Sequence, residues 1–468
     1  MESAKMYSRR RALKIGVGML GLGGLAACAP AATPQVVERE VTVIVQGTPQ
    51  IVKETVVVPA AAGPVKIRWA VKTWDEMRMK VIDDCAQEVM KLDPGIEVVV
   101  EPRPGQGYWE KLQTEFAGGV APDVTYNQMN WVIPGAARGM FLDIKPFMER
   151  DNWTLEDYWY PMDLEWEWQG GLYGTLMVAN GQTLCISTTL MEQAGLDLPD
   201  EDWTWDDLLT YAKAMTDKEA GQWGLLGANS APPYWLCAFI HGAGGSVLNE
   251  DYNKCTITDP VAMEAIQWVA DLMFTHEVLP TPALLEGMES PFLTGKAGMS
   301  FELVTAASTI RPTFEEQGFG WQYVHMPRHP VTGLRSVQMG SNVWSIIANT
   351  QFRDQAWTLC KYLGDVEGQK RWMLFGLPGQ RSLIASDEFL SMWGDQDITI
   401  PIADLDCCGH DYYPTSDCGE WWGLMNQELS VIWTGEATVE EACRRACEKC
   451  DEVFARRPPH YEKNPQVS

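Results

Sequence analysis

An α/β fold built from parallel βαβ units is predicted from three observations. Strand-like and helix-like segments alternate from Val65 onward, each interval holds room for one helix, and Pro and Gly punctuate the joints. Val65-Lys66-Ile67-Arg68-Trp69-Ala70 alternates as a first strand. Met77 to Leu92 carries the helical period, and Pro94-Gly95 ends it. Ile96-Glu97-Val98-Val99-Val100 is the second strand, Tyr108 to Phe116 the second helix, and Asp123-Val124-Thr125-Tyr126 the third strand after Gly118-Gly119. In open parallel sheets ligands gather beyond the carboxyl ends of the strands. That directs attention to Lys72-Thr73-Trp74, to Arg103 through Tyr108, and to Tyr126 through Trp131.

Upstream, Ser8-Arg9-Arg10-Arg11-Ala12-Leu13-Lys14 precedes an apolar run from Ile15 to Ala27 that closes on Leu25-Ala26-Ala27-Cys28. The run is shorter than the roughly 20 residues needed to span a bilayer. A basic start, a short apolar centre and small residues at the end form an export leader. The paired arginines point to the twin-arginine route, although Ala12 stands where that pattern usually has Phe. The last four residues resemble a bacterial lipobox, which makes residues 1–28 the leader and Cys28 the lipid attachment site. An exported protein held at the outer face of the cell membrane follows.

The chain of 468 residues carries 36 basic and 63 acidic side chains, a net charge of −27. Most of the leader's charge is basic, so the remainder is more acidic still. Such a field repels nucleic acid and anionic lipid surfaces and excludes nucleic-acid partners. A hydrophobic content of 46% with 21% charged residues describes a globular protein, long enough for two lobes. The 21 Trp supply flat faces for a core or for stacking on a ligand. Of the 12 Cys, removing Cys28 leaves an odd number, which cannot all pair within the chain. Adjacent Cys407 and Cys408 are expected to take different partners or to stay reduced.

Residues 29–64 are rich in Val, Pro, Ala and Thr and read as an extended tether. Within them Val37-Glu38-Arg39-Glu40-Val41 is echoed by Val52-Lys53-Glu54-Thr55-Val56, and two short strands are the alternative.

Six segments in order carry a family pattern. They are Gly119-Val120-Ala121-Pro122-Asp123-Val124, Gly139-Met140-Phe141-Leu142-Asp143-Ile144, Gly171-Leu172-Tyr173-Gly174, Leu190 to Leu196 with Trp203-Thr204-Trp205-Asp206-Asp207-Leu208, Phe292 to Met299, and Gly340-Ser341-Asn342 through Ile347 with Gln355-Ala356. Together the chain resembles the extracellular solute-binding proteins of ABC importers, in the maltose-binding-like group. Residues 400–450 match poorly.

The resemblance implies a two-lobed periplasmic-binding-protein-like fold of type II, each lobe a sheet flanked by helices, with three crossover hinge segments. It implies a first lobe of 65–177 and 298–343 and a second of 182–297 and 348–455. The activity implied is capture of a small molecule, a mono- or oligosaccharide, between closing lobes and delivery to a membrane permease. No enzyme activity, cofactor or metal is expected, and a monomer is. Sugars present hydroxyl groups and an apolar C–H face, which aromatic rings and planar polar groups match. The residues implied for ligand binding are Trp74, Tyr126, Asn127, Trp131, Tyr173, Trp235, Glu302, Asn342, Trp344, Trp421 and Trp422.

Other constellations are weaker. Glu165 and Glu167 could pair as glycosidase carboxylates, about 7 Å apart on an alternating strand. An exposed edge strand before Gly170-Gly171 is the preferred reading. His325 and His329 lie in a turn-like segment. Cys443, Cys447 and Cys450 share one helix face and could bind metal with Cys407, Cys408 or Cys418, but disulfides or buried thiols are preferred. No P-loop, nucleophile elbow or His-Glu-x-x-His motif occurs. The alternatives to a sugar are a polyamine, a glycerol phosphate or a metal ion as bound solute, or a secreted glycoside hydrolase.

Overall fold

Residues 35–45, 48–58, 63–159, 165–228, 232–410 and 413–457 are described by a computed structural model. The leader, with Cys28, lies outside them. The chain divides into two units, Met1–Gly63 and Pro64–Ser468.

The described part of the first unit is an antiparallel hairpin of β1 (Gln35–Val45) and β2 (Thr48–Val58). The echoed segments face each other. Val37 pairs with Val56, Arg39 with Glu54, Glu40 with Lys53 and Val41 with Val52. Paired strands therefore stand where a plain extended tether was expected over much of 29–64.

The second unit opens with β3 (Val65–Lys72), α1 (Glu76–Leu92), β4 (Ile96–Arg103), α2 (Tyr108–Ala117), β5 (Val124–Gln128) and α3 (Met129–Ala137). The Asp75 side chain caps α1 by accepting from the Arg78 amide at 3.0 Å. Ile82, Cys85, Ala86 and Val89 form the buried stripe of α1. Strand β3 is parallel to both β4 and β5, as the βαβ spacing predicts. The short pair β6 (Glu167–Trp168) and β7 (Gly171–Leu172) precedes β8 (Thr175–Ser187). Then follow β9 (Trp223–Leu226), α4 (Pro232–Gly242), β10 (Ala297–Leu303), α5 (Ala307–Gln317), β11 (Trp321–Val324) and β12 (Val337–Ile346). The chain continues through α6 (Arg353–Gly364), α7 (Val366–Trp372), α8 (Thr399–Cys408), β13 (Gly409–His410), α9 (Cys418–Ser430) and α10 (Val439–Phe454).

The main sheet runs β4-β3-β5-β12-β8-β10-β9, with β11 also on β8 and β13 on β12. Strand β8 belongs to both lobes. Its residues 175–181 pair with β12, and 182–187 pair with β10 and β11. Strand β12 returns antiparallel from β8 to β5. A third segment bridges β8 at Ala179 and Leu377 and leads on to Trp393, which lies against Tyr323 of β11.

This pairing exchanges two segments relative to the lobe limits expected above. Residues 298–324 belong with β9 and the end of β8, because β10 is parallel to β9 and Phe301 packs against Trp235 and Phe239 of α4. Helices α6 and α7 belong with the first lobe. Trp357 packs on Trp153 and Phe147, and Trp372 on Trp74 and Trp344. No helix among the described residues is long and apolar enough to cross a membrane.

Cys255 is bonded to Cys447, and Cys407 to its neighbour Cys408, against the expectation of separate partners for the adjacent pair. Cys443 and Cys450 are buried free thiols on the same face of α10 as Cys447. Among the described residues no group of three His, Cys, Asp or Glu side chains is arranged to hold a metal ion.

Candidate functional site

Two cavities border both lobes. The smaller, about 310 Å³, is walled by Gln128, Met129, Asn130, Asn180, Tyr234, Trp235, Leu303, Gly340, Ser341, Asn342 and Trp422. It draws on the carboxyl end of β5, the hinge strands β8 and β12, and helices α4 and α9. Each residue arrives there for a local reason. Strand β5 ends at Gln128 and α3 begins, so Met129 and Asn130 sit on a first helical turn. Gly340 permits close approach, since a Cβ there would stand 3.0 Å from the Tyr234 hydroxyl. None of these lining residues carries a formal charge at neutral pH.

The larger cavity, about 1030 Å³, opens between the start of α1 and α5, with Phe375 and Trp393 at its wall. Its rim mixes charges: Asp75, Glu76, Lys80 and Asp83 from the first lobe, Arg78 beside them, and Arg311 from the second. Arg78 lies over the Phe375 ring at 4.8 Å and Arg311 over the Trp393 ring at 5.4 Å, so both guanidinium groups are held against aromatic faces.

Between the two stands a ring cluster. Trp74 meets Tyr126 edge to face at 5.1 Å, and Tyr126 meets Trp344 at 6.2 Å. The Tyr126 hydroxyl donates to Asn342 Oδ1 at 2.9 Å, which joins β5 to the hinge strand. Burial pushes that phenol up to about 12, so it stays a neutral donor at physiological pH. Burial also raises the Tyr234 phenol, with a further push from Glu165 nearby.

Of the expected ligand-binding residues, Trp235, Asn342 and Trp422 line the smaller cavity. Tyr126 and Trp74 stand beside it through the Asn342 and ring contacts. Trp131 is half-buried and stacks on Trp109 at 5.4 Å and on Tyr108 at 6.2 Å, within the first lobe. Tyr173 packs at the first crossover, where its carbonyl accepts from Ser345 Oγ.

Three of the expected residues are core rather than wall. Asn127 has no exposed surface and donates to Ser345 Oγ at 3.1 Å. Trp344 is equally enclosed, edge-on to Trp69 at 4.9 Å. Trp421 is buried with its indole N–H on Thr415 Oγ1 at 2.9 Å. Strand alternation explains the first. Tyr126 faces the ring cluster, so Asn127 must face the other side, which is covered as well. Glu302 sits on β10 with Ser300 Oγ on its carboxylate at 2.6 Å, and burial raises its pKa against that hydrogen bond. Its neighbours Phe301 and Leu303 point to the α4 side, so alternation turns Glu302 away from the smaller cavity.

Glu165 and Glu167 are buried, not on an exposed edge. Glu165 accepts from Ser341 Oγ at 2.7 Å and Glu167 from Lys145 Nζ at 2.5 Å. Each is committed to a protein partner, which does not suit paired acid and nucleophile roles. His325 likewise engages Asp404, at 2.7 Å.

The bacterial extracellular solute-binding protein family model matches residues 75–370. The chain belongs to that family. These proteins bind solutes and are not enzymes. A protein of Brucella abortus is 24% identical over 314 residues, which is 64% of this chain and 73% of its own. The ABC substrate-binding protein of Listeria monocytogenes solved in complex with cycloalternan superposes with a TM-score of 0.77 at 20% identity, covering 84% of this chain and 99% of that one. Maltose-bound MalE3 of T. maritima superposes with a TM-score of 0.71 at 19% identity, covering 83% and 99%. The two-lobed maltose-binding-like fold is thereby shown, and export with it, since the family is extracellular.

The wall residues missed from sequence are Gln128, Met129, Asn130, Asn180, Tyr234, Leu303, Gly340 and Ser341. All but Asn180 lie close to expected residues: Leu303 follows Glu302, and Gly340 and Ser341 precede Asn342. Gln128 to Asn130 lie inside the flagged stretch from Tyr126 to Trp131, and Tyr234 precedes Trp235. Asn180 had no local signal, because only the long β8 crossover brings it to the cleft.

Proposed function

We propose that this solute-binding protein captures an uncharged mono- or oligosaccharide between its closing lobes and delivers it to the permease of an ABC importer. The observation that carries the proposal is the uncharged wall of the smaller cavity. Asn130, Asn180, Asn342 and Gln128 offer amide donors and acceptors, and Trp235 and Trp422 offer ring faces. Amides pair with hydroxyl groups in either direction, and indole faces accept the apolar side of a pyranose. A polyamine or a phosphate would leave a charge in that wall without a counter-charge, at a cost of several kcal/mol if fully enclosed, roughly. Carbohydrates bound by the Listeria and T. maritima relatives support the same class.

Lobe closure needs no chemistry. A ligand that contacts both lobes favours the closed form by its differential affinity. On this reading Trp235, Trp422, Asn342, Tyr126 and Trp74 form the ligand-facing set. Lipid on Cys28 would hold the protein near the permease and raise its effective concentration there.

Isothermal titration with maltose, maltotriose and tagatose, against spermidine and glycerol 3-phosphate, tests the class. Binding of a sugar without release of reducing ends is expected. Binding of only the charged solutes, or hydrolysis of the sugar, would overturn it. Cys28→Ala is expected to release the mature protein from the membrane fraction.

A further inference from the structure

We propose that Cys407 and Cys408 form a reversible thiol–disulfide site whose oxidation state sets the stiffness of the hinge corner beneath β12. The two residues close α8, and their disulfide joins neighbours in sequence. Cys407 is exposed and Cys408 half-buried. Among the described residues the other cysteines are buried. Cys255 and Cys447 are buried in their own bond, and burial pushes the thiols of Cys85, Cys443 and Cys450 up to about 12. A reagent in solution therefore meets the adjacent pair first.

The pair sits against the hinge. Leu405, two residues before Cys407, is so close to Gly181 of β8 that a Cβ there would lie 2.3 Å from Leu405 Cδ2. A Cβ added at Gly409, directly after the pair, would likewise lie 2.7 Å from the Met339 sulfur of β12. Strand β13 then pairs with β12, Gly409 opposite Val337 and His410 opposite Gln338. From there hydrogen bonds lead to the cleft. Gln338 Nε2 donates to the His410 carbonyl at 3.0 Å, the Gln338 amide donates to Gln182 Oε1 at 2.8 Å, and Gln182 Nε2 donates to the Tyr234 carbonyl at 2.9 Å. On the other side of the pair, Asp404 is fixed by Arg335 Nη1 at 2.8 Å and the Met326 amide at 2.7 Å. The backbone freed by reduction thus lies between a fixed carboxylate and the hinge strand.

The chemistry is ordinary exchange with a low-molecular-weight disulfide. One cysteine thiolate attacks an external sulfur, a mixed disulfide forms, and one thiolate leaves. The second cysteine thiolate then attacks the mixed disulfide at the first cysteine's sulfur, the external half leaves, and the internal bond closes. Two electrons and two protons pass to the external disulfide, which ends as two thiols. The exported location permits the disulfide.

Peptide mapping of the full chain tests the bond, and hydrogen–deuterium exchange tests its effect. Protein purified without reductant and blocked with an alkylating agent should hold an internal Cys407–Cys408 disulfide that glutathione opens and glutathione disulfide recloses. On opening, amides in 337–346 and 405–410 should exchange about tenfold faster. The Cys407→Ser/Cys408→Ser variant should exchange fast in both conditions, whereas Cys255→Ser/Cys447→Ser should keep the response. Free thiols at 407 and 408 after oxidation, pairing of either with another cysteine, or wild-type exchange unchanged by reduction would each overturn the proposal. None of these readouts requires the solute to be known.

Discussion

Arg78 Nη2 donates to Ser308 Oγ at 2.9 Å, joining the first turn of α1 to the start of α5 across the larger cavity. The same guanidinium bonds Asp75 and covers Phe375, so it is held by more than the Ser308 contact. A contact made only when the lobes approach favours the closed form. Ser308→Ala removes that bond and nothing else of the Arg78 setting, at about 0.5–1.5 kcal/mol. The unliganded variant should show a larger radius of gyration in small-angle scattering, and sugar affinity should fall by up to about tenfold. Arg78→Ala should move both measures further in the same direction. Scattering unchanged in both variants would mean that the contact does not bias closure.

Trp421 and Trp422 are neighbours on α9 with opposite duties. Trp421 is sealed among Tyr413, Phe454 and Thr415, while Trp422 reaches the smaller cavity. Trp421→Ala should therefore destabilise the fold by about 3–5 kcal/mol, read as a lower urea midpoint. Trp422 is buried too, so Trp422→Ala should also lower stability, but it should in addition weaken sugar binding about tenfold or more. An affinity loss confined to Trp421→Ala would reverse this assignment.

The Cys255–Cys447 bond closes a separation of 192 residues between the chain after β9 and α10. Cross-links over long stretches restrict the unfolded chain most, and removal of a native one costs about 2–5 kcal/mol. Cys255→Ser/Cys447→Ser should melt several degrees lower by calorimetry while keeping its ligand affinity, because neither residue touches the cleft. A melting temperature equal to that of the wild type would show that the bond does not form in solution.

The local elements were legible in the sequence, and the long-range pairings were not. Alternation and Pro-Gly stops located β3, α1, β4, α2 and β5, because those signals lie within a few residues of each other. Nothing local says that β10 joins β8 and β9, or that α6 returns to pack on Trp153. These depend on where a long strand such as β8 passes from one lobe to the other. The site shows the same division. Trp235 and Asn342, which line the smaller cavity, stand beside turn and crossover motifs, whereas Asn127 and Trp344 are enclosed because both faces of the sheet are covered. Trp421 and Trp422 differ only in which side of α9 meets a neighbour, and that is fixed by distant chain.

His241 gives the fold a titration of its own. Its Nε2 meets the Tyr413 hydroxyl at 2.5 Å, and its ring packs edge-on to His410 at 4.1 Å. Burial, and then the neighbouring His410, depress its pKa to about 3, and burial lowers His410 as well. The folded protein thus holds a neutral imidazole while the unfolded chain takes up a proton below about 6.5. Stability contributed by this site is present above that pH and is lost as pH falls toward 3, at up to about 1.4 kcal/mol per pH unit. Paired carboxylates also lose stability in acid, so the test is a difference. His241→Gln keeps an amide for Tyr413 but cannot be protonated. Urea midpoints at about pH 7.5 and 5 should show the variant less stable at the higher value and the gap closing at the lower. A gap that does not change with pH would mean that His241 does not titrate between the folded and unfolded states.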